Sequence, residues 1–356
     1  VTRRCKVALG IGSALLLTVL APILYIEGTC RSPLPGFETG GYRSLLPLAD
    51  RRPEARTWLT YPEWHIVYSA DSFGRHLAAS RPPSGYRYGS DIKGFWSSYC
   101  GLNRATIGSS DAGDAKVIIY TIGISYTVEL AVKAIYENTI GRLVEWIGGW
   151  RSADDRYAAS VQLHYGAFMH ETPWYRFPFG TALYQLWQTR EADHHFRHWE
   201  RRLALSAEYG VKAGYAKLID KASGAALGRD ETSLRFVARA TKEQIAAVDP
   251  RLKPVQALPG GLIVVEAPRY AQFTALLGKL AASPVELVEI AGNDDIFVTS
   301  LAPKAHVTGA PVLLAMPLGE RPGWHREGVS VKVPQLLPLM RRIGAAGGIV
   351  EHVYDY

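Results

Sequence analysis

Hydrophobic and polar positions along the chain fall into three regimes. The first is "VALGIGSALLLTVLAPILYI", Val7 to Ile26, a run without a charge and of the length a membrane-spanning helix needs. The second runs from Trp58 to about residue 222 and carries the helical period. In "TYPEWHIVYSADSFGRHL", Thr60 and Glu63 have capping-box spacing and Pro62 sits in the first turn, which predicts a helix through His76. "SDIKGFWSSYCGLNRATI" predicts another, capped by Ser90 or Asp91. The longest pattern, "VIIYTIGISYTVELAVKAIYENTIGRLVEWIGG", sets Ile124, Val128, Ala131, Ile135, Leu143 and Ile147 near one face and stops at Gly148 and Gly149. "SADDRYAASVQLHYGAFMHE" reads as a helix capped by Ser152, and a further helix is expected from about Gly180 through Ala204.

The third regime is a set of short alternating runs: "SLRFVARA", "GLIVVEAP", "VELVEIAG", "DIFVTSLAP", "PVLLAMP", "GVSVKVP" and "GIVEHVYDY". Two helical patterns, "RYAQFTALLGKLAAS" and "PQLLPLMRRIGAA", interrupt them. Taking "GLIVVEAP", the first helix, the "VELVEIAGNDDIFVTS" hairpin, the second helix and the last strand in order gives β-α-β-β-α-β with inserted strands, a ferredoxin-like order. The expected fold class is therefore α+β. A membrane anchor covers residues 1–27, a Pro- and Gly-rich tether 28–57, an α-helical domain 58–222 and a ferredoxin-like domain 231–356. No internal repeat or low-complexity tract is visible.

Charge changes the picture at one end only. The net charge is +7; Arg3, Arg4 and Lys6 supply three of these charges and leave four for the remainder. A basic pI that belongs largely to one terminus does not point to nucleic acid. The cationic flank before Val7 places the start of the chain in the cytoplasm and the bulk of it outside. Pro22 follows the nearest small-residue cleavage site at Ala21, which favours an uncleaved anchor over a signal peptide. Val1 fits a non-ATG start codon read literally, so a bacterial cytoplasmic membrane is the expected location, with membrane lipid contacted through Val7–Ile26. Cys30 and Cys100 then share an oxidising compartment, where they either pair or remain a free thiol and a buried one. Glu129 and Lys133 interrupt the long apolar helix; a carboxylate there costs a few kcal/mol in lipid unless paired. The expectation is a soluble or membrane-resting bundle rather than a second crossing.

Candidate chemistry concentrates in "READHHFRHWERR", Arg190 to Arg202. On a helix, His194 and His198 lie one turn apart and Glu191 precedes His194 by three, which is metal-ligand spacing. His164 and His170 are candidates to complete the shell, with Glu171 or Glu137 as carboxylate donor and zinc or iron as the metal. The competing reading makes these histidines part of a charged, solvated face, with Phe196, Trp199 and Leu203 pointing inward. "ETPWYRFPF" reads as an aromatic packing loop, since Pro173 and Pro178 exclude a continuous helix. The chain carries no phosphate-binding Gly loop, G-x-S-x-G, C-x-x-C or H-E-x-x-H pattern. These features predict a membrane-anchored binding or assembly protein that contacts another protein or a small ligand, the alternatives being a metal-dependent enzyme and, if residues 117–136 cross the bilayer, a two-span component of a membrane complex.

Overall fold

The computed structural model describes residues 17, 20–34, 42–51, 57–107, 112–190, 194–226, 233–304, 308–318 and 321–354. It is a mixed structure of helices and antiparallel sheets. Residues 20–29 form helix α1; most of Val7–Ile26 lies outside the described residues. Next come α2 (Tyr61–Ala78), α3 (Tyr88–Ala105), α4 (Ala112–Tyr136), a π-helical turn (Glu137–Gly141) and α5 (Arg142–Gly148). They are followed by α6 (Ala153–Met169), α7 (Phe179–Leu186) and α8 (His195–Ala226). The chain divides into two compact units, one of Val1–Glu63, Gly94–Ile124 and Glu231–Tyr356, the other of Trp64–Lys93 and Ser125–Asp230.

Local signals set several boundaries. Ser152 caps α6 as expected: its hydroxyl accepts from Asp155 N while the Asp155 carboxylate accepts from Ser152 N, a reciprocal capping box. Gly149, at φ 76°, ends α5 where a residue with a Cβ would be strained. The helix expected from Gly180 through Ala204 is instead two helices. Thr189 Oγ1 donates to Leu186 O, satisfying a carbonyl of the last turn of α7 so that the helix stops there, and α8 starts afresh at His195.

In the first unit, β1 (Ser233–Arg239), α9 (Lys242–Val248), β2 (Lys253–Leu258), β3 (Leu262–Pro268), α10 (Tyr270–Leu280) and β4 (Glu286–Ile290) form one sheet in the order β2-β3-β1-β4. Strands β5 (Asp295–Ala302), β6 (Val312–Pro317), β7 (His325–Lys332) and β8 (Ile349–Val353), with α11 (Val333–Ala345), form a second in the order β6-β7-β5-β8. All pairs are antiparallel. Numbered within each sheet the order is the same, 2-3-1-4. Irregularities also recur at matching places, between first and fourth strands (Val237/Ala238, Thr299/Ser300) and between second and third (Pro254/Gln256, Val312/Leu314). The unit is thus an internal duplication of topology that no sequence repeat announces.

This corrects the expected strand grouping. "VELVEIAG" and "DIFVTSLAP" are joined by a tight turn at Ala291 and Gly292, both with φ > 0, yet they belong to different sheets. β1, α9 and β2, left out of the expected pattern, complete β-α-β-β-α-β in the first sheet. The second sheet has no helix between its first two strands among the described residues of 303–311. Helix α10 packs against β8, and α11 against β4. A buried core shared by the two sheets follows, from Phe236, Phe273 and Leu277 to Val298, Leu336 and Val353.

Part of the expected tether is fastened in the same unit. Cys30 and Cys100 form a disulfide, and Arg104 donates to Ser32 O. Glu289, buried on β4, accepts from Tyr42 Oη, Ser44 Oγ and Leu45 N.

Candidate functional site

The helical unit is built around charge. Helix α8 turns Arg197, His198, Arg201 and Arg202 inward, all buried, while Phe196, Trp199 and Leu203 are more than half exposed. This reverses the expectation that the aromatic and aliphatic positions face the core. The physical reason is that oppositely charged partners on α4, the π turn, α5 and α6 wait inside, so turning the charges outward would strand those partners.

Those partners form an antiparallel ladder. Along α4 and the π turn, Glu129, Lys133 and Glu137 follow one another at four-residue spacing and meet Lys212, Glu208 and Arg201 on α8. Glu137 takes Arg201 in a two-pronged contact at 2.8 and 3.2 Å, Lys133 meets Glu208 at 2.7 Å and Glu129 meets Lys212 at 2.9 Å. Burial pushes the Glu208 carboxyl up, but Lys133 and Lys212 together outweigh it and hold the group at about 2. The π turn serves the ladder: a Cβ on Gly141 would lie 2.5 Å from Glu137 Oε2, so glycine makes room for the carboxylate. Such turns recur at functional positions in helices.

A second cluster sits one turn away. Arg197 binds Asp155 through Nε and Nη2 at 3.1 and 2.9 Å, and Glu200 through Nη1 at 3.0 Å. Tyr136 Oη donates to Glu200. Arg202 donates to Thr189 O at 2.7 Å.

Beside these clusters opens a cleft of about 220 Å³ between α2, α4, α6 and α8. Phe73, Trp150 and the buried Tyr209 line it, together with Arg81, Arg151 and Arg156, which are exposed at its rim.

Each described histidine among the expected metal ligands has a partner of its own. The His164 ring packs edge-on to Phe177; His170 Nε2 lies 2.7 Å from Asp71 Oδ2; His194 Nδ1 lies 3.1 Å from Gly148 O; His198 Nδ1 lies 2.5 Å from Asp154 Oδ2. Glu191 lies outside the described residues. His194 directly precedes α8, and its carbonyl accepts from His198 N at 2.8 Å. Among the described residues, no three His, Cys, Asp or Glu side chains are grouped to hold one ion. "ETPWYRFPF" packs inward in part: Phe177 and Phe179 are buried against Tyr165.

Of the residues that sequence reasoning passed over, Arg201, Glu208 and Lys212 had a signal. The spacing of Glu129, Lys133 and Glu137 is complementary, read backwards, to Lys212, Glu208 and Arg201.

The outer face of the unit is apolar. On α8, Phe196, Trp199, Leu203, Val211, Tyr215 and Leu218 form an exposed stripe about 33 Å long at 1.5 Å per residue. Val132, Ile135, Leu143, Trp146 and Ile147 are exposed on α4 and α5. Ala115–Gly148 is the one helix among the described residues long and apolar enough to cross a membrane, with a mean hydropathy of 1.4 in its most apolar window. No protein-family model matches the chain, and no curated protein or solved structure matches it, so its own side chains carry the functional reading.

Proposed function

We propose that this chain is a membrane-anchored binding protein of a bacterial cytoplasmic membrane. Val7–Ile26 holds it there, the bulk of the chain lies on the extracytoplasmic side, and the helical unit rests its apolar face in the outer leaflet. In this reading each four-stranded sheet is a ferredoxin-like half, and the pair forms the platform for a protein partner.

The observation that carries the proposal is the inverted polarity of α8, with ions inside and a continuous apolar stripe outside. Water does not favour that arrangement, whereas an interface with acyl chains does. The Cys30–Cys100 disulfide supports an oxidising compartment. Resting is favoured over crossing because other faces of the same unit are wet: α3 exposes Ser90 and Lys93, and α6 exposes Arg156, Ser160 and His164. Charged positions such as Lys93 and Arg156 are costly in hydrocarbon.

A single introduced thiol tests the placement. In full-length protein carrying Cys5→Ser and Ser160→Cys, a membrane-impermeant maleimide added to intact spheroplasts is expected to label residue 160. Labelling that appears only after lysis would overturn the single-pass arrangement and make Ala115–Gly148 a crossing.

A further inference from the structure

We infer that the cleft of the helical unit binds a phosphate-bearing anion, gripped by Arg81, Arg151 and Arg156. The lining of the cleft carries a charge imbalance. Three carboxylates line the cleft, and each already has its own cation: Glu137 has Arg201, Asp155 has Arg197, and Glu208 has Lys133 and Lys212. The rim guanidiniums have no such match. Among the described residues, none of the three forms an ion pair with a carboxylate, although the side chains of Arg151 and Arg156 and the backbone of Arg81 are held in place. Arg156 Nη1 donates to Arg151 O at 2.6 Å, Arg151 lies over the Trp150 ring at 4.7 Å, and the backbone N–H of Arg81 is fixed on His76 O at 3.3 Å.

Three arginines without a carboxylate partner, from two separate segments, α2–α3 and α5–α6, line one cleft. Their planar N–H forks match the oxygens of a phosphate, which they bind in pairs of parallel hydrogen bonds. The wall beneath supplies Phe73, Leu77 and Leu205, so the cleft accepts an anionic head with carbon attached to it. Two sources offer that chemistry. One is the phosphodiester of an anionic lipid, the kind of group that basic pockets between membrane-associated helices take. The other is a soluble phosphate ester. The lipid source rests on the membrane-resting reading above; the soluble source does not.

The test uses full-length protein in detergent and native mass spectrometry, with phosphatidylglycerol, phosphatidylcholine and glycerol phosphate as separate probes. The parent is expected to retain phosphatidylglycerol or glycerol phosphate over phosphatidylcholine. Arg81→Gln/Arg151→Gln/Arg156→Gln is expected to weaken that binding at least tenfold, and Arg239→Gln, on β1, to leave it unchanged. Should the triple variant unfold, Arg151→Gln alone is expected to weaken binding about threefold. Binding of glycerol phosphate without the lipid supports the cleft and fixes its source in solution. Equal binding by parent and folded triple variant, or no binding of either phosphate probe by the parent, overturns the inference. Labelling at residue 160 reports on the membrane placement independently of these outcomes.

Discussion

Arg197→Met is expected to destabilise the helical unit by about 3–5 kcal/mol, the cost of removing one partner from a buried ion cluster. Arg197 is fully buried and serves Asp155 and Glu200 together, so a methionine of similar bulk fills the space and leaves carboxylates in a dry environment. Arg201 still reaches Glu200, and Ser152 still bonds Asp155, which is why the loss is not larger. Arg197→Lys keeps the charge but not the forked contact, and is expected to lose roughly half as much. Thermal or urea unfolding of the full-length protein in detergent, followed by far-UV circular dichroism, measures both. A change under about 1 kcal/mol for Arg197→Met would mean that the cluster is wet.

The second large effect concerns the outside of the same helix. Leu203→Gln, Val211→Gln and Leu218→Gln together are expected to remove about 5 kcal/mol of membrane attachment, at about 1.5–2 kcal/mol for each apolar side chain withdrawn from hydrocarbon. That corresponds to more than a thousandfold in the ratio of attached to detached bundle. The three positions are exposed, so the fold itself changes by less than about 0.5 kcal/mol per site. In vesicles of brominated phospholipid, tryptophan fluorescence of the parent is expected to be quenched through Trp146, Trp187 and Trp199. The triple variant is expected to lose most of that quenching at an unchanged unfolding midpoint. Equal quenching in both proteins would show that the stripe does not hold the bundle to lipid.

The pH response of the charge ladder follows from the same geometry. Glu208 titrates at about 2 in the folded protein, below its ordinary value near 4.3. Its contribution to stability is therefore complete above about pH 5 and lost as pH falls toward 2.

Much of this architecture was legible where a local signal decides the outcome. Ser152 announced the start of α6, Gly148 and Gly149 the end of α5, and alternation marked seven of the eight strands. The missing β2 contains Pro254 and little alternation, and it forms because β3 offers it an edge. Pattern alone does not say which sheet a strand joins: β4 and β5 flank a good hairpin turn, but their partners β1 and β7 draw them apart.

The site was harder for a related reason. Amphipathy gives a helix two faces without saying which is inside, and the usual rule fails on α8 because the deciding residues, Glu137 and Asp155, lie elsewhere in the sequence. His170 stands beside Asp71 and His198 beside Asp154, contacts between segments that no spacing within one segment announces.

The claim that α8 lays its apolar stripe in lipid is tested most directly by spin labels placed singly at Leu203, Val211 and Leu218, with Ser160 as reference, in full-length protein in bilayers. Collision with oxygen and with a water-soluble nickel chelate is then measured at each site. The account predicts high oxygen and low nickel access along the stripe and the reverse at Ser160. Nickel access on the stripe equal to that at Ser160, or exclusion of both reagents from it, would contradict the account: the face would be wet in the first case and covered by protein in the second.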